Sequence, residues 1–154
     1  MKEDFGGTSK RIAASNAITA LTKSLKQNAN IDARFSMVTF SGNKTTGMWG
    51  QGDTKTWDDA EVAVSWTTDA GTIERGSKPT SNGGTNYQAG IRTAKELLTS
   101  KRAGAMTAVI FISDGDPTFY YNPDGYTRGD GNNDGNGGAD NLKEIGRASC
   151  RERV

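Results

Sequence analysis

The sequence predicts an α/β protein, and its pattern of apolar residues leads to that class. Two segments, 9–27 and 87–99, place apolar side chains at the spacing of an amphipathic helix. Two others, 33–40 and 105–113, are short runs of β-favouring residues with apolar side chains on both faces, as in strands that are covered on two sides. The order helix, strand, helix, strand favours a sheet with helices packed against it.

Composition excludes several classes of function. The 154 residues carry 19 basic and 18 acidic side chains, and no patch of one sign indicates nucleic acid or a membrane surface as a partner. The absence of histidine removes histidine-based catalysis and histidine-ligated zinc, and Cys150 is the only cysteine. The longest apolar run, 108–112, is too short to cross a bilayer. We therefore expect one ordinary domain without a membrane span.

The first helix is predicted over 9–27, where Thr8 or Ser9 can supply the N-cap. Its apolar stripe consists of Ala14, Ala17, Ile18, Leu21 and Leu25. A polar turn at 28–32 leads into the first strand at 33–40.

The middle of the chain carries weaker signals. A connection rich in Gly, Thr and Asn covers 41–53 and has a possible short strand near Met48 and Trp49. Another short strand is predicted at 60–66, whereas 67–81 indicates little.

The third part of the chain begins with a tight turn at 83–86 and continues as the helix at 87–99. The apolar stripe of this helix consists of Tyr87, Ile91, Ala94 and Leu98. The run 105–113 predicts a buried parallel strand. A long loop rich in Gly, Asn and Asp covers 114–140, and a third helix is predicted to begin near Ala139.

Two of these segments resemble the von Willebrand factor A-type domain. Residues 81–90, SNGGTNYQAG, open a helix and resemble its second metal-binding loop, and residues 109–116, VIFISDGD, end a strand and resemble its third. The resemblance covers most of 1–143 and implies a Rossmann-like fold. It also implies an Mg²⁺ or Mn²⁺ site in which Thr85 supplies a hydroxyl and Asp114 a carboxylate, directly or through water. Taken singly, the same segments also fit a capped turn and an ordinary Asp-Gly turn.

The site's chemistry is consistent with these residue types. Mg²⁺ takes about six oxygen ligands and keeps several waters, so a few converging hydroxyls and carboxylates suffice. Loops at the carboxyl ends of parallel strands converge on one crevice, where both segments would lie.

The resemblance implies further parts that this sequence does not contain. The family's first metal loop, Asp-x-Ser-x-Ser, follows a first strand that lies in the middle of the sheet, and Met1 matches the Met that often ends this motif. We therefore expect 1–143 to be a partial domain, lacking this central strand and its C-terminal elements, with marginal stability and weak or no metal binding. The strands at 33–40 and 105–113 would then either pair directly or leave a gap with two unpaired edges.

Residues 144–154 resemble the in-frame translation of a sequencing-library adapter, which would continue into a stop codon. We expect this segment, with Cys150, to be an artefact; the alternative is a genuine basic C-terminal helix.

Two features of the long loop remain open. Residues 130–141 have the D-x-N-x-D-G spacing of a calcium loop, but Asn141 stands where a bidentate carboxylate is expected, so a plain solvated loop is the alternative. Tyr120, Tyr121 and Tyr126 either form part of a ligand surface near the metal edge or pack the loop down.

The resemblance implies a binding module rather than an enzyme, and no hydrolase motif is present. The insertion after SDGDPTF and the lack of cysteine in 1–143 resemble domains of Gram-positive bacterial surface and pilus proteins. This implies a secreted, cell-surface protein that binds a protein ligand through an acidic residue. The alternative is an intracellular subunit of a metal chelatase or of an ATPase-coupled assembly.

Overall fold

The computed structural model describes residues 4–5, 8–42, 59–78, 84–113, 115–121 and 127–128. Its helices are α1 (Lys10–Gln27), α2 (Ala70–Gly76) and α3 (Tyr87–Leu98). Its strands form three antiparallel pairs within these ranges: β1 (Asp4–Phe5) with β2 (Thr8–Ser9), β3 (Phe35–Phe40) with β4 (Ala60–Thr67), and β5 (Tyr120–Tyr121) with β6 (Thr127–Arg128).

The helix α1 begins where the sequence predicts it. The Ser9 hydroxyl caps it by accepting a hydrogen bond from the Ile12 amide at 3.4 Å. The two buried side chains of α1, Ser15 and Thr22, are polar. Ser15 shares a hydrogen bond of 2.6 Å with Ser77 at the end of α2, and the Thr22 hydroxyl donates to the Ile18 carbonyl of its own helix at 3.0 Å. The apolar stripe of α1 lies elsewhere and lines an open cleft, so that even Leu21 stays substantially exposed.

The pair β3–β4 confirms both strands predicted in this part of the chain, and helices cover its two faces. A Cβ on Gly76 of α2 would contact both Val64 and Met37, whereas a Cβ on Gly90 of α3 would contact the Phe40 ring. Positions 37 and 40 point to opposite faces of a strand, so α2 and α3 lie on opposite sides of β3. This arrangement confirms the α/β class.

The prediction of a buried strand at 105–113 is wrong. The segment has no regular secondary structure, and within the described residues it pairs with no strand. Most of its large apolar side chains are exposed, with Met106 fully so and Ile110 63% exposed, whereas Ile112 is half-buried. Composition favours burial here, but a strand also needs a hydrogen-bonded neighbour, and the cleft separates this segment from β3.

The segment nevertheless runs beside β3 and in the same direction. At one end, the Arg102 guanidinium pairs with the Asp32 carboxylate shortly before β3 begins. At the other end, the Phe111 ring stacks on Phe40, the last residue of β3, with centroids 5.1 Å apart. The two segments therefore do not pair directly, and the cleft lies between them.

The helix α2 lies where the sequence indicated little. The Asp69 carboxylate caps it by accepting hydrogen bonds from the amides of Gly71 at 2.8 Å and Thr72 at 3.1 Å. Hydrogen bonds from the Thr72 hydroxyl and from these amides lower the pKa of Asp69. No helix among the described residues is long and apolar enough to cross a membrane.

Several predictions fall outside the described residues. They are the short strand near Met48 and Trp49, the loop at 130–141, the helix from Ala139 and the segment 144–154.

Candidate functional site

The loop before α3 is attached to the carboxyl end of β3. The Gly84 amide donates to the Gly42 carbonyl at 2.8 Å, and the Asn86 amide donates to the Ser41 carbonyl at 3.0 Å. These two bonds place Thr85, the predicted metal ligand between them, at the edge where β3 ends.

The segment that follows 105–113 joins the same edge. The amides of Thr118 and Phe119 donate to the Thr85 carbonyl at 2.8 and 2.9 Å, and the Thr85 amide donates to the Thr118 hydroxyl at 2.8 Å. The loop at 81–90 therefore meets the residues that directly follow the motif at 109–116, although Thr85 and Thr118 are 33 positions apart. The second predicted ligand, Asp114, lies outside the described residues.

Two glycines, Gly42 and Gly84, make room for the Phe119 ring beside this contact. The buried Phe119 ring lies so close to Gly42 and Gly84 that an added Cβ would come within 2.2 Å and 2.3 Å of its carbon atoms, respectively. Only glycine permits an approach of this kind, since any side chain would occupy the space of the ring. Gly84 of the predicted loop thus permits the close packing of Phe119.

An aromatic cluster closes the same end of the cleft. The Tyr87 ring lies edge-on to Phe111 and Phe40, with centroids 4.9 and 6.0 Å apart. The Tyr87 hydroxyl donates to the Gly115 carbonyl, which holds the segment after 113 close to the start of α3.

A buried polar pair, Asn86 and Asp59, supports this loop, and no pattern in the sequence indicates the pairing. The Asn86 amide nitrogen donates to the Asp59 carboxylate at 2.9 Å, and the Asn86 side-chain oxygen caps α3 by accepting from the Ala89 amide at 3.1 Å. The Ser41 amide donates to the Asp59 carbonyl at 2.7 Å. A capped turn was the alternative interpretation of this segment, and Asn86 does cap α3, but nothing in the sequence connects Asn86 with Asp59.

The tyrosines of the predicted ligand surface differ in exposure. Tyr121 is buried, and its amide donates to the Gln88 side-chain oxygen at 2.7 Å. Tyr120 is partly exposed, so it could contact a ligand, whereas the buried Tyr121 could not. The role of Tyr120 at a ligand surface stays a prediction.

The described donors alone do not form a metal site. Thr85 offers one hydroxyl at the convergence of the loops, but no three acidic, histidine or cysteine side chains cluster in the part of the chain that the structure describes. Mg²⁺ requires about six oxygen ligands, several of which can be water. The described residues thus supply one ligand of the implied metal site, Thr85, and not the full set.

A cleft of about 1670 Å³ opens directly beside this edge. Its long sides are β3 and residues 105–113, and the apolar stripes of α1 and α3 line it as well. The helix α1 packs on α2, and α2 and α3 lie on opposite sides of β3. The helices α1 and α3 therefore line the cleft from opposite sides. Thr85 and Ser113 line the end of the cleft next to the candidate site.

Neither a scan against protein-family models nor a search of curated proteins found a match for this chain. The resemblance to the von Willebrand factor A-type domain therefore rests on the motifs at 81–90 and 109–116.

Proposed function

We propose that the chain is part of a von Willebrand factor A-type domain that binds a protein ligand in a Gram-positive bacterial surface adhesin or pilus-type protein. The observation that carries this proposal is the pair of contacts between Thr85 and Thr118 at 2.8 Å. They join the loop of the first motif to the residues that directly follow the second motif, at the carboxyl end of β3. Ligand sites of open α/β sheets lie at such edges.

The cleft supports the Rossmann-like part of the proposal. Its two long sides run in the same direction, as strands of a parallel sheet do, and helices cover it on both faces. Strands lie about 4.8 Å apart, so a missing strand leaves a gap of roughly twice that width between its neighbours. We assign the central strand implied by the resemblance to this gap.

In the proposed site, Thr85 and Asp114 hold Mg²⁺ or Mn²⁺ together with an Asp-x-Ser-x-Ser loop that belongs before α1. The bound cation supplies a positive charge with which an acidic group of the ligand pairs. Thr85 acts as a fixed oxygen donor because its backbone is held on both sides by Thr118 and Phe119. No bond is made or broken, so the proposed activity is binding and not catalysis.

The test is metal-dependent ligand binding by the proposed longer protein, in which an Asp-x-Ser-x-Ser loop would precede α1. We expect Asp114→Ala to weaken binding by about 2–5 kcal/mol, the range for removing one partner of a buried charge pair. Thr85→Ala should also weaken it, whereas the matched Thr85→Ser keeps the hydroxyl and should retain most of it. Ligand binding that is unchanged in EDTA would contradict the proposal.

A further inference from the structure

We propose that Tyr87 is a positioning residue, which holds the segment that contains Asp114 beside the loop that contains Thr85 before any metal ion or ligand binds. The contacts of Tyr87 involve protein atoms alone, so they can be tested without a metal ion. The inference deepens the proposed function and rests on it only for the role of Asp114 and Thr85 as metal ligands.

The segment 105–113 lacks the neighbours that fix an ordinary strand. Within the described residues it pairs with no strand, and the cleft lies between it and β3. A strand inside a sheet is held along its length by main-chain hydrogen bonds to its neighbours. The position of this segment therefore depends on side-chain contacts, and those at the end that leads to Asp114 lie beside the candidate site.

Tyr87 contacts the chain on both sides of Asp114 in the sequence. Its ring lies edge-on to the Phe111 ring, with centroids 4.9 Å apart and an angle of 82° between the ring planes. Its hydroxyl donates a hydrogen bond to the Gly115 carbonyl. Edge-to-face rings at this distance attract each other, and the hydrogen bond adds a preferred direction. One side chain thus joins α3 to residues before and after Asp114.

The backbone of Tyr87 is itself held in place. Tyr87 is the first residue of α3 and directly follows the cap residue Asn86. The Asn86 side chain bonds the Ala89 amide and the buried Asp59 carboxylate. A side chain positions another segment well only when its own backbone and its neighbours are fixed. Tyr87 meets this condition, and it lies two positions after Thr85 in the chain.

The Tyr87 ring is oriented by β3 as well as by the segment. It lies edge-on to Phe40 with centroids 6.0 Å apart, and Phe40 stacks on Phe111 with centroids 5.1 Å apart. Rotation of the Tyr87 ring would break its contacts with both other rings, so each pair favours the observed orientation. The three rings therefore direct the Tyr87 hydroxyl towards the Gly115 carbonyl.

A second hydroxyl bonds the same carbonyl but has a different effect. The Ser113 hydroxyl donates to the Gly115 carbonyl at 3.2 Å, and a carbonyl oxygen has two lone pairs, so it can accept both hydrogen bonds. The bond from Ser113 shapes the segment locally, because both residues belong to it. The bond from Tyr87 joins the segment to α3, so its loss should let the segment move relative to Thr85.

The first experiment measures amide hydrogen exchange of the full chain by NMR, in EDTA and trimethylamine N-oxide. The amides of Thr118 and Phe119 are the probes, because both donate to the Thr85 carbonyl and are released when the segment moves away. The net contribution of one hydrogen bond corresponds to a factor of about 2–12 in an opening equilibrium. We expect Tyr87→Phe, which keeps the ring, to accelerate exchange at both amides by this factor. Tyr87→Leu, which removes ring and hydroxyl, should accelerate it further.

Two controls separate positioning from general destabilisation. Thr99→Val removes a hydroxyl-to-carbonyl hydrogen bond of 2.7 Å at the other end of α3, and it should change exchange at Thr118 and Phe119 by less than about twofold. Amides in the middle of α1, which packs on α2, should exchange equally fast in Tyr87→Phe and in the wild-type chain. A purely structural role of Tyr87 would accelerate exchange in α1 as well.

The second experiment relates the contact to the proposed site. It uses the proposed longer protein, in which an Asp-x-Ser-x-Ser loop would precede α1, and measures Mn²⁺ affinity by electron paramagnetic resonance. Apparent affinity falls with the fraction of molecules that hold the segment in place, so Tyr87→Leu should weaken it by at least about twofold. Thr99→Val is again the control and should leave the affinity unchanged.

Three results would overturn the inference. They are unchanged exchange at Thr118 and Phe119 in Tyr87→Phe, equal acceleration of exchange in α1, and unchanged Mn²⁺ affinity of Tyr87→Leu in a longer protein that binds the ion. A longer protein that binds no Mn²⁺ would instead contradict the proposed function. The exchange measured in EDTA would then still decide the role of Tyr87.

Discussion

Replacing Asn86 by alanine should destabilise the chain more than any change on the exposed surface of α3. The side chain of Asn86 is buried and makes two contacts, the cap on Ala89 and the hydrogen bond to the Asp59 carboxylate. Loss of an N-cap costs about 0.5–2 kcal/mol, and loss of a hydrogen bond to a charged group costs about 1.5–3 kcal/mol. Since Asp59 has further interactions, we expect a loss of about 2–4 kcal/mol in the free energy of unfolding.

The assay is urea unfolding followed by circular dichroism in a fixed concentration of trimethylamine N-oxide, which stabilises a marginal fold enough to give a baseline. Asn86→Ser separates the two contributions, because serine caps a helix as well as asparagine does but is too short to reach Asp59. The variant Asn86→Ser should therefore lose only the contribution of the hydrogen bond to Asp59. Glu96→Ala is the control on the same helix, and loss of its exposed pair with Arg92 should cost less than about 0.5 kcal/mol. Equal losses for Asn86→Ala and Glu96→Ala would refute the reasoning.

Four further predictions concern other parts of the chain. The hydrogen bond and charge of Arg102 lower the pKa of Asp32, so this ion pair should persist until the pH falls below the ordinary aspartate pKa. The variant Arg102→Gln should raise the pKa of Asp32, measured by NMR of the carboxyl carbon. An unchanged pKa would exclude the pairing. Gly84→Ala should cost about 1–3 kcal/mol in urea unfolding, because its Cβ would overlap the Phe119 ring. Truncation after Lys143 should leave the circular dichroism spectrum and melting curve unchanged, whereas a cooperative loss of structure would contradict the adapter interpretation. The full chain should melt broadly and at the same temperature with and without excess Mg²⁺, and a sharp Mg²⁺-dependent transition would contradict its expected weakness in metal binding.

Local features of this chain were readable from its sequence because they depend on residues a few positions apart. Helical periodicity predicted 9–27 and 87–99, and the structure has α1 at Lys10–Gln27 and α3 at Tyr87–Leu98. Capping by Ser9 follows the same rule, since a hydroxyl three residues before an amide reaches it wherever a helix starts. The coarse α/β class follows from these two helices and from the strand predicted at 33–40, which the structure has as β3.

Features that depend on distant partners were decided by the tertiary structure. Apolar composition predicted burial of 105–113, but burial needs a neighbour, and the segment that should be a strand borders a cleft instead. The apolar stripe of α1 is real, yet it faces the same cleft while Ser15 takes the packed position.

The candidate site divides in the same way. The motif alone pointed to Thr85, because the residue types in a short loop are visible in the sequence. Three contacts of the site join residues from 27 to 77 positions apart. They are the contact of Thr85 with Thr118, the packing of Phe119 on Gly42 and Gly84, and the hydrogen bond of Asn86 with Asp59. Such contacts exist only once the chain has folded, since their energy comes from burial and geometry that no local pattern encodes.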